Sequence, residues 1–63
     1  DALGWVTLGQ LLLVSGDVEG ADRAVERARA ERSSLNASAQ ADLDRELQAF
    51  DNARARAGDQ PSP

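Results

Sequence analysis

Hydrophobic residues are concentrated at the start of the chain, where no charge occurs between Asp1 and Asp17. A helix over residues 2–16 would be apolar on nearly every side, so no broad face of it suits water. Gly16 favours the position just after a helix, and the Asp17 carboxylate can accept hydrogen bonds from the free amides of the next turn. The pattern predicts a first helix from about Ala2 to Val14.

The next segment is amphipathic and predicts a second helix over residues 18–32. Its apolar residues recur at three- and four-residue steps, which is the spacing of one helix face. They are Val18, Ala21, Ala24, Val25 and Ala28. Because these side chains are small, the face lets another helix come close but buries little area per residue.

A third helix is predicted over residues 37–57. Its larger apolar residues form one stripe at helical spacing. They are Leu43, Leu47 and Phe50, extended by Ala39 and Ala53. Asn36 or Ser38 can cap its start, and Gly58 is expected to end it. We therefore predict an all-α fold, with residues 1–57 as one three-helix unit and residues 58–63 as a disordered tail.

The length and composition narrow the classes of function. Sixty-three residues make at most one small, marginally stable domain, and such domains normally add disulfides, a metal or a partner. The chain has no Cys and no His, so the remaining route to stability is association with other protein or membership of a longer chain. The net charge of −4 argues against nucleic-acid binding, which needs a basic face to neutralise phosphates.

Catalysis and metal binding are poorly supported. His, Cys, Lys and Tyr are all absent, and the closely spaced carboxylates Asp42, Asp44 and Glu46 fall in a predicted helix rather than in a calcium-binding loop. A catalytic carboxylate needs a cleft that shifts its pKa, and the pattern indicates none. We expect no enzyme activity, no catalytic residue, no metal and no cofactor.

A membrane segment is a weaker interpretation of residues 2–16. The run is shorter than the ~20 apolar residues of a transmembrane helix, and it contains Thr7, Gln10, Ser15 and three glycines. No basic stretch precedes it, so it is not a signal peptide as it stands. We expect a cytoplasmic protein, and a membrane-associated stub stays open as a third alternative.

The spacing within the first two helices resembles the tetratricopeptide repeat. Trp5, Leu8 and Gly9 match the Trp, Leu and Gly that recur in that family, and Leu12 stands at its next aromatic position. In the second helix, Ala21 and Ala28 match the small residues of the family, and Val25 stands where the family has a large aromatic residue. The closing Pro is replaced by Ser33. We expect the small residues Gly9, Ala21 and Ala28 to form a seam where the two helices come close, with Trp5, Leu8 and Leu12 filling the space around it. The resemblance covers residues 2–35, and the phase does not continue, because Asp42 and Glu46 would then occupy buried positions.

The resemblance implies a helical hairpin followed by a capping helix, at the C-terminal end of a repeat array. Such arrays bind ligands on the inner face of the first helix. The matching positions here are Leu3, Val6, Gln10, Leu13 and Val14. Four of these five are apolar, which favours a protein or peptide with an apolar surface as the partner. The same residues could instead pack against an upstream repeat, the third helix or a second copy.

We therefore expect a protein–protein interaction module that acts as a scaffold or adaptor. The alternative is a structural element that fixes the homo-oligomeric state of a larger assembly or regulator. A discrete homo-oligomer that forms without other partners would favour the alternative.

Overall fold

The computed structural model describes residues 1–59. It contains three helices, α1 (Ala2–Val14), α2 (Val18–Glu31) and α3 (Ala37–Asp59), with a short 3₁₀ turn at Arg32–Ser34 between the last two. No strand occurs within the described range, so the all-α prediction is confirmed. The arrangement is a hairpin of α1 and α2 with α3 packed over one side of it.

Each helix begins at a residue whose side chain accepts a backbone N–H. Asp1 accepts from Gly4 at 2.6 Å, Asp17 accepts from Gly20 at 2.9 Å, and Asn36 accepts from Ala39 at 2.8 Å. Each such bond satisfies an amide that has no partner inside its helix. Asp17 therefore has the capping role predicted for it, and Asn36 rather than Ser38 caps α3.

The turn between α1 and α2 depends on Gly16, whose φ of +92° lies in the left-handed region. Around it, Asp17 N–H donates to Leu12 C=O at 2.9 Å and Gly16 N–H donates to Leu13 C=O at 3.1 Å. This pair of bonds is the Schellman motif, in which a glycine lets the chain leave the helix and reverse. The turn places α2 antiparallel against α1.

The hairpin is closed at Gly9, where the two helices make their tightest approach to a glycine. A Cβ added to Gly9 would lie 2.8 Å from Val25 Cγ2, 3.2 Å from the Ala21 carbonyl oxygen and 3.7 Å from Ala24 Cβ. Any side chain there would force the helices apart. The predicted small-residue seam is thus confirmed, with Ala21 and Ala28 fully buried on the α2 side.

The stripe predicted on α3 supplies most of the volume of the core. Leu43 is fully buried, and Leu47 and Phe50 are nearly so. They pack in one cluster with Val6 and Val25 of the hairpin. Because the hairpin itself offers mainly small side chains, α3 provides the large apolar area that stabilises the fold.

The predicted end of α3 at Gly58 is wrong, since the helix continues through Gly58 to Asp59. Glycine can adopt helical dihedral angles, and its cost of about 1 kcal/mol relative to Ala does not stop a helix that has already propagated. The disordered tail predicted for residues 58–63 is therefore wrong for its first two residues. Residues 60–63 of that prediction lie outside the described residues.

The Cα atoms extend over 44 × 17 × 14 Å. In a bundle of only three helices, part of each helix must face outward, so α1 cannot be enclosed. Within residues 1–59, no helix is both long enough and apolar enough to cross a membrane.

Candidate functional site

The five residues predicted to contact a partner fall into three environments. Val6 is buried, with 1% of its surface exposed, and belongs to the core. Leu13 and Gln10 are half-buried, and Leu13 packs against the core cluster. Leu3 and Val14 are exposed. The five positions therefore do not form one open surface.

The third helix is what covers the middle of this set. It packs beside α1 so that Val6 lies in the same cluster as Leu43 and Leu47. At the edge of the contact, Gln10 Nε2 donates a long hydrogen bond of 3.4 Å to Glu46 Oε2. Val6 is consequently unavailable to any outside partner while α3 is in place.

A different part of α1 remains open, and we call it the open α1 face. Its members are the large apolar residues of α1 that stay exposed: Leu3 (39% exposed), Leu8 (41%), Leu11 (62%) and Val14 (88%). At ~100° per residue they span an arc of about 140° around the helix, which also contains the exposed Thr7. Exposed apolar patches often mark binding surfaces.

The sequence-based site prediction missed Leu8 and Leu11. Leu8 is predicted to lie inside the hairpin, and the predicted set of contact residues does not contain Leu11. A helical projection contains the necessary signal, because Leu11 lies about 160° from Gly9 and roughly opposite the seam. The uncharged character of α1 concealed this signal, since the covered and uncovered sides of the helix have the same apolar composition.

A groove of about 420 Å³ runs between α1 and α2 beside the open α1 face. Its lining residues come only from α1, α2 and the turn between them: Trp5, Leu8, Leu12, Asp17, Gly20, Arg23, Ala24 and Arg27. We call it the Trp5 groove. The sequence predicted that Trp5, Leu8 and Leu12 would fill the space between the helices. Instead, Trp5 and Leu12 are half-buried and Leu8 is exposed.

The guanidinium of Arg27 lies over the indole of Trp5, with 5.2 Å between Cζ and the ring centroid. At this distance the positive charge is attracted by the electron-rich face of the ring. The contact holds the indole against α2 and places a positive charge beside an otherwise apolar groove. The sequence did not reveal this pair, because the two residues lie on different helices.

Most of the other arginines are engaged with carboxylates. Three ion pairs connect α2 and the 3₁₀ turn to α3: Asp22–Arg54, Arg29–Asp51 and Arg32–Asp44. Arg45 pairs with Asp42 within α3. All of these side chains are at least one-third exposed, so each pair contributes modestly.

The Arg32–Asp44 pair changes the acid–base behaviour of its two members. Arg32 donates to both oxygens of Asp44, and this hydrogen bonding holds the pKa of the Asp44 carboxyl below its usual range. The same bonds raise the pKa of Arg32. The pair joins the 3₁₀ turn to the first half of α3, so it orients α3 and is not part of an open cleft.

Groups able to hold a metal ion are absent from the described part of the chain, since no three acidic side chains converge there. Comparisons of the sequence with family models and curated proteins, and of the fold with solved structures, found no match.

Proposed function

We propose that this chain is a protein–protein interaction module that acts as a scaffold or adaptor through α1. The hairpin would belong to the tetratricopeptide-like class of helix pairs, with α3 as a covering helix. The observation that carries the proposal is the open α1 face, on which four large apolar side chains face water.

Covering the open α1 face with a partner would stabilise the protein, because it would bury apolar side chains. Full burial of a Leu or Val side chain contributes about 1.5–3 kcal/mol. Leu11 and Val14 are the most exposed of the four residues, so their burial would contribute the most free energy. The free energy of unfolding of a 63-residue domain is expected to be about 3–9 kcal/mol. Covering both residues would therefore add an amount comparable to a large part of that free energy.

The close approach at Gly9 supports the repeat-like part of the proposal. Gly9 meets Val25, Ala21 and Ala24, which is where the matching residues of the resemblance would bring the helices together. Trp5, the first residue of that motif, is half-buried and packs against the core cluster from the groove between α1 and α2. A helix pair of this kind leaves one side of its first helix for another helix to cover.

Homo-oligomerisation is the second candidate, and one observation favours it. No charged residue lies between Asp1 and Asp17, so two copies of α1 could meet face to face without placing like charges together. In that case the partner of the open α1 face would be the same face of a second copy.

Sedimentation equilibrium over a micromolar concentration range tests the proposal and its alternative. We expect association of the chain, or binding of a helical peptide with an apolar face, and we expect Leu11→Asp to abolish it. Ala49→Asp is the matched control, because it introduces the same charge at an exposed position on α3.

Association without added peptide would favour the homo-oligomer, and peptide binding by a monomer would favour the module. The proposal fails if the chain is a stable monomer that binds no such peptide. It also fails if Leu11→Asp and Ala49→Asp behave alike.

A further inference from the structure

The Trp5 groove has a shape that suits a short helix. It follows α1 from Trp5 to Leu12, a length of about 10 Å at 1.5 Å per residue, which is two helical turns. Its floor is apolar, with the indole at one end and Leu12 at the other. The α2 side of the floor is formed by Gly20 and Ala24, whose small size leaves room for a ligand above them.

Two arginines one helical turn apart border this floor, Arg23 and Arg27. Among the side chains that the structure describes, no carboxylate lies within 4 Å of Arg23. Arg27 has only a loose pair with Glu31, at 3.6 Å between exposed groups. By contrast, Arg29 and Arg32 of the same stretch are held by carboxylates of α3. Arg23 and Arg27 therefore have hydrogen-bond donors to offer beside the groove.

The Trp5–Arg27 contact prepares one of these donors. A guanidinium over an aromatic ring meets it through the charge on its carbon centre, and the N–H groups at its edge stay able to bind a carboxylate. Stacking also restricts the side chain, so less conformational entropy is lost when an acidic group binds. Asp17 at the far end caps α2, and its one negative charge is outnumbered by the two arginines, so the rim is positive on balance.

We propose that the Trp5 groove binds an amphipathic helix of another protein, about two turns long, whose apolar side chains are flanked by Glu or Asp. The inference rests on the proposed function and adds a second contact surface, which meets the open α1 face at Leu8. The apolar side chains would lie over Leu8 and Leu12 and against the indole. The carboxylates, at three- or four-residue spacing, would meet Arg23 and Arg27.

The backbone chemistry of the groove selects a helix over an extended peptide. An extended segment needs hydrogen-bond partners for its own amides and carbonyls, and the backbone groups of α1 and α2 are already bonded within their helices. A helix satisfies its own backbone and needs only side-chain contacts. The groove therefore presents nothing that an added strand could pair with.

A second copy of the chain does not supply this ligand. Its α1 is apolar but has no carboxylate between Asp1 and Asp17, so it cannot form ion pairs with Arg23 and Arg27. Its α3 carries carboxylates beside an apolar stripe, but that stripe, Leu43, Leu47 and Phe50, is buried within the chain. Neither α1 nor α3 of a second copy therefore supplies the complementary helix.

The test uses two stapled synthetic peptides of about three helical turns. Both carry Leu at i, i+3, i+4 and i+7, and one has Glu and the other Lys at the flanking positions. Neither contains Trp or Tyr. The chain has one Trp and no Tyr, so its emission reports directly on Trp5 as each peptide is added. Calorimetry gives an independent dissociation constant.

We expect the Glu peptide to saturate the fluorescence change and to bind about tenfold or more tightly than the Lys peptide, because two exposed ion pairs are replaced by two repulsions. The double variant Arg23→Gln/Arg27→Gln should reduce this preference to about threefold or less. Arg45→Gln is the matched control, since Arg45 lies on α3 outside the groove. It should retain the preference.

The outcomes separate this inference from the proposed function. Equal binding of both peptides, or a preference that survives the double variant, overturns the inference and leaves the interaction module in place. Failure of both peptides to bind overturns the inference, and it overturns the proposed function as well when the chain is also a monomer. Mixed phosphatidylcholine–phosphatidylglycerol vesicles are tested alongside. A Trp5 response to vesicles but to neither peptide overturns the inference in favour of an anionic membrane surface.

Discussion

Arg32 and Asp44 form a two-pronged ion pair, in which Nε and Nη2 of the arginine each donate to one carboxylate oxygen at 2.8 Å. Two parallel bonds fix the relative orientation of their groups better than one bond does. Because Arg32 begins the 3₁₀ turn and Asp44 lies in the second turn of α3, the pair sets how α3 leaves that turn. Gln40 adds a 3.0 Å bond from its amide to the Arg32 carbonyl.

The first prediction concerns pH. Arg32 lowers the pKa of Asp44 in the folded chain below the value of about 3.9 for an unperturbed Asp. A lowered folded pKa stabilises the fold above the unfolded value, and this contribution is lost as the pH falls through the folded pKa. We expect an NMR titration to place the Asp44 pKa below that of a model peptide. Arg32→Gln should move it upward, and an unchanged pKa would contradict the role of Arg32.

The second prediction concerns Gly9. Ala at this position gains helix propensity of about 1 kcal/mol but overpacks against Val25 and the Ala21 carbonyl, which costs about 1–3 kcal/mol. We expect Gly9→Ala to lower the free energy of unfolding by about 1 kcal/mol in urea titrations. Val25→Ala removes the closest atom, so the double variant should lose less stability than the two single losses added together. A stabilised Gly9→Ala variant would show that the helices are not in contact there.

Gly16 provides the contrasting case for the third prediction. No atom lies within 4 Å of a Cβ added there, so Gly16→Ala creates no clash. Its φ of +92° is nevertheless unfavourable for a residue with a side chain, at a cost of about 1–2 kcal/mol. We expect Gly16→Ala to destabilise the chain and Gly16→Asn to destabilise it less, because Asn tolerates the left-handed region. Equal melting temperatures for the wild type and the Ala variant would argue against this turn.

The fourth prediction compares two leucines of opposite burial. Leu43 is fully buried at the centre of the α3 stripe, and Leu43→Ala should cost about 2–5 kcal/mol. A domain of this length has a free energy of unfolding of about 3–9 kcal/mol. The thermal unfolding transition of the variant, followed by circular dichroism, should therefore lose most of its cooperativity. Leu11→Ala is the control, with an expected change of about 0.5 kcal/mol or less.

The fifth prediction separates folding from binding at the end of α1. Leu13 packs against the core, whereas its neighbour Val14 is 88% exposed. Asp at position 13 places a charge against apolar side chains and should destabilise the fold by about 1–3 kcal/mol. Val14→Asp should leave the melting temperature nearly unchanged and reduce association. If Val14→Asp unfolds the chain as readily, the open α1 face is not free in solution.

The caps, the turn and the faces of α2 and α3 were predictable from local sequence. Asp17 caps α2 because an Asp before a helical pattern can reach the free amides, and Gly16 turns the chain because only a glycine does so at little cost. The α3 stripe at Leu43, Leu47 and Phe50 could be read because polar residues surround it. The end of α3 was predicted two residues early, since a single Gly near a helix terminus only weakly determines where the helix ends.

What the sequence alone determined is the number of helices, nearly all of their bounds, and the small-residue seam that brings α1 and α2 together. It could not determine which side of α1 is covered. Every side of that helix is uncharged and mostly apolar, so its composition does not distinguish Val6, which is buried, from Leu11, which is open. Only the position of α3, fixed by its own stripe and by the ion pairs to α2 and the 3₁₀ turn, decides this. The choice depends on contacts between residues far apart in the chain, which no local pattern encodes.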